Sequence, residues 1–250
     1  MVINVFRAIR LEFNFLRQSK INLILYLIIP ALFAYFFGLA GQINVSWKEG
    51  VTYFVLYAPT VLPLFILFMT TQLTIMRIVG ERAPYGTLDR DLISLSRTSI
   101  FFGKLIINCI IAIFQALIVL IISYNIFHLS VNPILFLFIL ILVGIFGVAL
   151  GLTISVLSLN KEQASQIVPF VILTLFIFNG SIISLDTIMP PIKNIVSSLP
   201  LATATDSLMR MINSNHGFYE LRDNLFFLAS WIFIIILFGW IKFCAESLKK

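Results

Sequence analysis

The sequence predicts an all-α membrane protein: six transmembrane helices, an N-terminal interfacial helix, a further helix in a cytoplasmic loop, and an outer re-entrant helical hairpin. Three observations carry that prediction. Of the 250 residues, 60% are apolar and only 11% are charged, whereas a soluble domain carries about 25% charge. The apolar residues gather into runs long enough to cross a hydrocarbon core, which takes roughly 20 residues in a helix. Positive charge between the runs is lopsided, and that asymmetry sets the sidedness of a membrane protein. The net charge of +6 is then a matter of topology and implies no nucleic-acid partner.

Residues 1–20 form the first element. Val2, Phe6, Ile9, Phe13 and Leu16 fall on one helical stripe, with Arg7, Arg10 and Arg17 beside it. That is the pattern of a helix lying on the membrane with its arginines towards lipid phosphates. It serves either as a simple anchor or as part of a coupling contact. Spans are expected near 21–41, 52–77, 103–127, 134–158, 165–185 and 224–243. With the N-terminus inside, thirteen of the 17 Lys and Arg residues fall on inner segments; Lys48, Lys193, Arg210 and Arg222 fall on outer ones. Both termini are therefore expected in the cytoplasm. A short apolar core followed by small residues, the mark of a cleaved signal, is not evident.

The densest charge lies in the inner loop 80–102 and its flank: Glu81, Arg82, Asp89, Arg90, Asp91, Arg97 and Lys104. Pro84 and Gly86 break the chain, and Thr87 is placed to cap a new helix whose first turn holds Asp89 and Asp91. Leu88, Leu92 and Leu95 recur at i, i+4 and i+7. An apolar stripe on so polar a helix needs a surface to dock on.

The outer segment 186–223 is patterned too. Pro190 and Pro191 precede Ile192, Ile195, Val196 and Leu199 at helical spacing. After Pro200, a looser stripe of Leu201, Leu208, Met211 and Ile212 follows, with Asp206 and Arg210 one turn apart. Backbone that leaves helical form at membrane depth must be covered by protein or water. The segment therefore reads as a re-entrant hairpin buried in protein, not as a seventh span.

Candidate chemistry is sparse. The middles of the proposed spans hold no Asp, Glu, Lys or Arg, which argues against proton- or sodium-driven transport. Among neutral polar residues, Gln72, Asn108, Gln115 and Asn179 either form interhelical hydrogen bonds or line a substrate path. Gly147 and Gly151 suit close helix packing, within one subunit or between two. Cys109 and Cys244 have no metal-ligand spacing and suggest no disulfide framework. Gly103-Lys104 looks like the end of a phosphate loop, but Thr98 stands where its first glycine should be. A serine–histidine protease built from Ser181 and His216 is disfavoured, because His216 sits between Asn215 and Gly217 in turn-like sequence. No catalytic residue and no cofactor- or metal-binding residue is therefore assigned.

Two blocks resemble the membrane-spanning permease subunits of ABC type-2 exporters. The first is Glu81-Arg82, Gly86-Thr87-Leu88 and Gly103-Lys104. The second runs from Gly151-Leu152 through Asn160-Lys161, then Asn179-Gly180-Ser181, Met189-Pro190-Pro191, Leu199-Pro200-Leu201 and Asp206 with Arg210. Ser94-Leu95-Ser96 departs from the family, where many members carry a proline before the serine–arginine step. The resemblance implies a single permease domain over 1–250, two permease subunits, identical or paralogous, and a separate ABC ATPase that carries ATP and magnesium. It makes the loop helix near 87–96 a coupling helix, with Glu81, Arg82, Gly86, Thr87, Leu88, Leu92, Leu95, Gly103 and Lys104 as ATPase-coupling residues. Gly180, Pro190, Pro191, Pro200, Asp206 and Arg210 mark the outer re-entrant region. The implied cargo is amphiphilic or hydrophobic (drug, peptide, lipid or glycan carrier), exported across a prokaryotic plasma membrane. A non-transporting anchor that recruits a cytosolic partner is the alternative.

Overall fold

Glycine and threonine, more than leucine, decide where the helices of this protein meet. A computed structural model describes residues 2–18, 20–43, 52–82, 95–129, 131–158, 160–180, 189–214 and 217–245. These residues form helices α1 (Val2–Gln18), α2 (Lys20–Ala40), α3 (Tyr53–Arg82), α4 (Arg97–Asn125) and α5 (Pro133–Leu157). They continue with α6 (Lys161–Ile177), α7 (Pro190–Ser197), α8 (Pro200–Ser214) and α9 (Arg222–Ala245). Starts follow local chemistry. The Asn132 side chain accepts from the amides of Ile134 and Leu135 before Pro133 opens α5. Asn160 accepts from the Gln163 amide at the head of α6, and Ser96 from the Ser99 amide at the head of α4.

Helix α5 is the centre, packed against α3, α4, α6, α8 and α9. Its glycines let α3 come close. A Cβ on Gly151 would meet Thr74 Cβ at 2.7 Å and the Thr71 carbonyl oxygen at 2.8 Å. On Gly147 it would strike Thr70 Oγ1. Across the same seam Thr71 Oγ1 donates to the Gly147 carbonyl at 3.1 Å. On another side of α5, Gly239 of α9 sits against Thr153, whose hydroxyl donates to the Ile235 carbonyl at 3.2 Å. The glycine contact that the sequence leaves open is therefore internal to the subunit. Helices α2 and α9 lie at the edge: Ile24, Leu25, Ile28, Leu32 and Phe36 of α2 are exposed, as are Phe226, Phe233 and Ile241 of α9.

Five of the described helices, α2, α3, α4, α5 and α9, are long and apolar enough to cross a membrane. Helices α3 and α4 outrun their expected spans the most: α3 continues five residues past 77, and α4 begins six residues before 103. The fifth expected span, 165–185, corresponds to α6, which has 17 residues. At 1.5 Å per residue that is about 26 Å, short of a ~30 Å core. Residues 181–188 lie outside the described set. Gly180 closes the segment after α6 with φ of 87°, a left-handed conformation that glycine adopts freely.

Helices α7 and α8 are fastened to the bundle. Pro190 and Pro191 occupy the first positions of α7, and Pro200 opens α8 instead of merely ending its predecessor. Leu201, Leu208 and Met211 of α8 are buried against α3, α5, α6 and α9. Trp231 Nε1 donates to the Ser198 carbonyl at 2.7 Å, and Asn224 Nδ2 to Asp206 Oδ2 at 2.8 Å. Asp206 also pairs with Arg210 at 2.9 Å. In α7 only part of the expected stripe turns inward: Val196 is buried, while Ile192 and Ile195 are exposed.

Candidate functional site

The end of α3 and the first turns of α4, on either side of residues 83–94, are joined by a buried cluster of four charges. Two come from α3, Arg77 and Glu81; one comes from α4, Lys104; the fourth is Glu12 of α1. Lys104 is 1% exposed and Glu81 6%. Lys104 Nζ donates to both Glu12 Oε1 and Glu81 Oε2. Arg77 Nη2 donates to Glu12 Oε2 at 2.7 Å, and its Nη1 donates to Asn108 Oδ1 at 2.7 Å. Asn108 Nδ2 returns to the Lys104 carbonyl at 2.8 Å. Two carboxylates face two cations, so the cluster is neutral as a whole. Removing one member leaves a buried charge uncompensated, typically at a cost of about 3–5 kcal/mol.

Helix α1 reaches this cluster because Gly103 makes room for it. A Cβ on Gly103 would lie 2.7 Å from Ala8 Cβ and 3.2 Å from the Ala8 carbonyl carbon. The buried face of α1 is Ala8, Glu12 and Leu16. Of the expected stripe, Phe6 and Phe13 are exposed, Ile9 is half-buried and Leu16 is buried. Gly103 and Lys104 thus form a seat for α1.

The residues expected to touch an ATPase divide accordingly. Gly103 and Lys104 are turned inward to α1, and Glu81 is turned inward to Lys104. Leu95 is buried in an apolar cluster with Ala8, Ile78, Phe101 and Leu105 and does not present itself outward. Arg82 ends α3. Gly86, Thr87, Leu88 and Leu92, with most of the expected helix 87–96, lie outside the described residues. Arg77 and Glu12 were missed by the sequence reading. Arg77 stood at the expected end of a span, where a cation signals only the interface. Glu12 was hidden among arginines, although its spacing of four from Ala8 and Leu16 is a usable signal.

Two of the four polar residues proposed for a substrate path are held by partners on other elements or their own helix. Asn108 is engaged with Arg77. Gln115, one heptad further along α4, donates from Nε2 to the Tyr26 carbonyl of α2 at 2.8 Å. Gln72 is half-buried in α3, and Asn179 is buried beyond α6. A separate cavity of about 490 Å³ opens between α2, α3 and α6. Its walls include Phe33, Val61, Phe65, Phe68, Pro169 and Phe176, and Phe33 stacks on Phe65 at 3.5 Å between centroids. Among the described residues no group of three or more His, Cys, Asp or Glu could hold a metal. Ser181 and His216 lie outside the described residues.

The profile of one family, described as ABC-2 family transporter protein, matches residues 42–241. The match begins just after α2 and runs through most of α9, leaving α1 and α2 ahead of it. No curated protein matches the chain.

Proposed function

The chain belongs to the ABC-2 transporter family, and from that premise we propose that it is the permease of an ATP-driven exporter moving an amphiphilic or hydrophobic substrate outwards. As a member of that family it is a multi-pass membrane component of an ABC transporter, and the family works with an ABC ATPase subunit. The finer reading follows. The ATPase is a separate chain that holds ATP and magnesium, and it docks on the inner loop through Gly86, Thr87, Leu88 and Leu92. Two permease subunits, identical or paralogous, pair in a prokaryotic plasma membrane, each with six spans and cytoplasmic termini.

The observation that carries this reading is the way the loop is mounted. Its two stems, α3 and α4, are continuous helices of 30 and 29 residues, joined at their inner ends by the Lys104–Glu81 pair. A loop hung on two stiff, cross-tied stems passes on a push from below instead of absorbing it. Arg82 stands at the end of one stem, next to the docking residues. The apolar cavity between α2, α3 and α6 supports a hydrophobic cargo, since its walls offer nothing to hold a strongly hydrated ion. Gln72 and Asn179 remain the polar residues proposed for the path. Asn108 and Gln115 would act there only by leaving their present partners. The outer hairpin, marked by Gly180, Pro190, Pro191, Pro200, Asp206 and Arg210, is proposed as the re-entrant cover of that path.

The chain is purified from its own cell with its neighbours to test this. An ABC ATPase is expected to co-purify, and Leu92→Asp to release it and stop export. If an ATPase is retained and Leu92→Asp leaves export unchanged, the coupling reading fails. If loss of the chain strips a cytosolic partner from the membrane without changing the efflux of any solute, the chain is an anchor instead.

A further inference from the structure

We propose that Glu12 is a positioning residue that makes α1 a moving part of the transmission, latched across both stems of the inner loop. For its transport consequence, the inference rests on the loop reading above. Three observations converge on it. Glu12 is the one residue of α1 whose carboxylate spans two different helices, with Oε2 on Arg77 of α3 and Oε1 on Lys104 of α4. Gly103, beside Lys104, has no side chain, and α1 occupies the space that one would fill. Four large apolar residues of α1, Phe6, Leu11, Phe13 and Phe15, face outward with Arg7, Arg10 and Arg17.

An anchor on the membrane surface would need only that outward face. The inward face invests a buried carboxylate, which is costly unless both of its oxygens are paired. Here both are paired, and with cations from two different helices. Removing the Glu12 charge leaves Glu81 to face Lys104 and Arg77 with one carboxylate short, and it cuts the ion pairs from α1 to both stems. Helix α1 then keeps its apolar contacts, among them those of Ala8, Ile9 and Leu16. A latch so built holds α1, α3 and α4 as one body when the loop is displaced.

Two measurements on the full-length chain in lipid nanodiscs, with Cys109 and Cys244 replaced by serine, test this. The first is hydrogen exchange of the chain alone. Glu12→Gln is expected to speed exchange of α1 at least tenfold while α5 peptides stay as in the wild type, which verifies folding. Glu12→Asp, shorter but charged, is expected to restore part of the protection. Unchanged exchange of α1 in Glu12→Gln overturns the latch, whether or not an ATPase binds. The second places spin labels on exposed Asn14 of α1 and Ile106 of α4 in the complex with the co-purified ATPase. The wild type should give one narrow distance that ATP does not alter, and Glu12→Gln a broad one. A wild-type distance that shifts with ATP shows α1 moving by itself and overturns the proposal. If the wild-type chain retains no ATPase, the coupling reading falls, and with it the transmission role; the exchange result then decides the latch alone.

Discussion

Gly151→Ala should loosen the α3–α5 seam in a way that the same substitution at Gly80 cannot. At Gly151 the new methyl would lie 2.7 Å from Thr74 Cβ and 2.8 Å from the Thr71 carbonyl oxygen. Neither atom can be swung aside by a rotamer change, because one is fixed to the backbone and the other belongs to it. An ordinary carbon contact is about 3.5–4.0 Å, so the helices must part locally by roughly 0.7 Å or more. Overpacking of this kind costs about 1–3 kcal/mol. At Gly80, on the same α3 helix, a Cβ meets nothing within 4 Å. There the substitution gains up to about 1 kcal/mol of helix propensity. Because both changes are glycine to alanine inside a helix, the difference between the two variants isolates the seam at about 1–3 kcal/mol. For a chain of this size, 1 kcal/mol corresponds to about 2–4 °C in Tm, so the two variants should melt about 2–12 °C apart. Thermal unfolding in nanodiscs, followed by tryptophan fluorescence, measures it. If Gly151→Ala melts at or above Gly80→Ala, the close approach of α3 and α5 is not what holds the bundle.

Other perturbations separate the remaining contacts. Lys104→Met leaves Glu12 and Glu81 with Arg77 alone and should cost about 3–5 kcal/mol. The double variant Lys104→Met/Glu81→Gln removes one charge of each sign and should recover much of that in the same melting assay. Gln115→Leu removes a single interhelical bond to the Tyr26 carbonyl, so it should cost about 0.6 kcal/mol and at most about 1.7; a larger loss would assign Gln115 a further partner. Trp231→Phe frees the Ser198 carbonyl, and hydrogen exchange in α7 should rise while that of α5 holds.

Long apolar segments made the helices α2, α3, α4, α5 and α9 legible, because a run of that length has few other uses. The directions in which they face were much less legible. In a soluble protein Phe6 and Phe13 would mark the buried side of α1. Next to lipid, the surroundings are as apolar as a leucine side chain, so apolarity no longer separates inside from outside. The inside is marked by small and polar residues instead, such as Ala8, Glu12, Gly103, Thr74 and Gly151. Arg77 and Lys104 misled for a related reason. A cation at the end of an apolar run signals the water interface, yet α3 continues to Arg82 and α4 begins at Arg97. Both charges therefore lie within helices and need partners, and the fourth partner is over 60 residues away in sequence, beyond any local pattern. The shortfall of α6 was hidden because the apolar run extends past its helical end.

The keyed seam between α3 and α5 also fixes the kind of displacement open to this permease. A slip of one residue would move α3 by about 1.5 Å and carry Thr70 and Thr74 out of register with Gly147 and Gly151. Tilting keeps the register. Helix α3 has 30 residues, about 45 Å at that rise, so a tilt of about 5° about one end carries the other through roughly 4 Å. Pro59 and Pro63 lie towards the end of α3 away from the charge cluster. Lacking N–H groups, they leave the carbonyls of Val55 and Pro59 without their helical partners. The helix is thus a rod with a stiff handle and a pliant tip, and the amplitude arrives where the backbone can best bend.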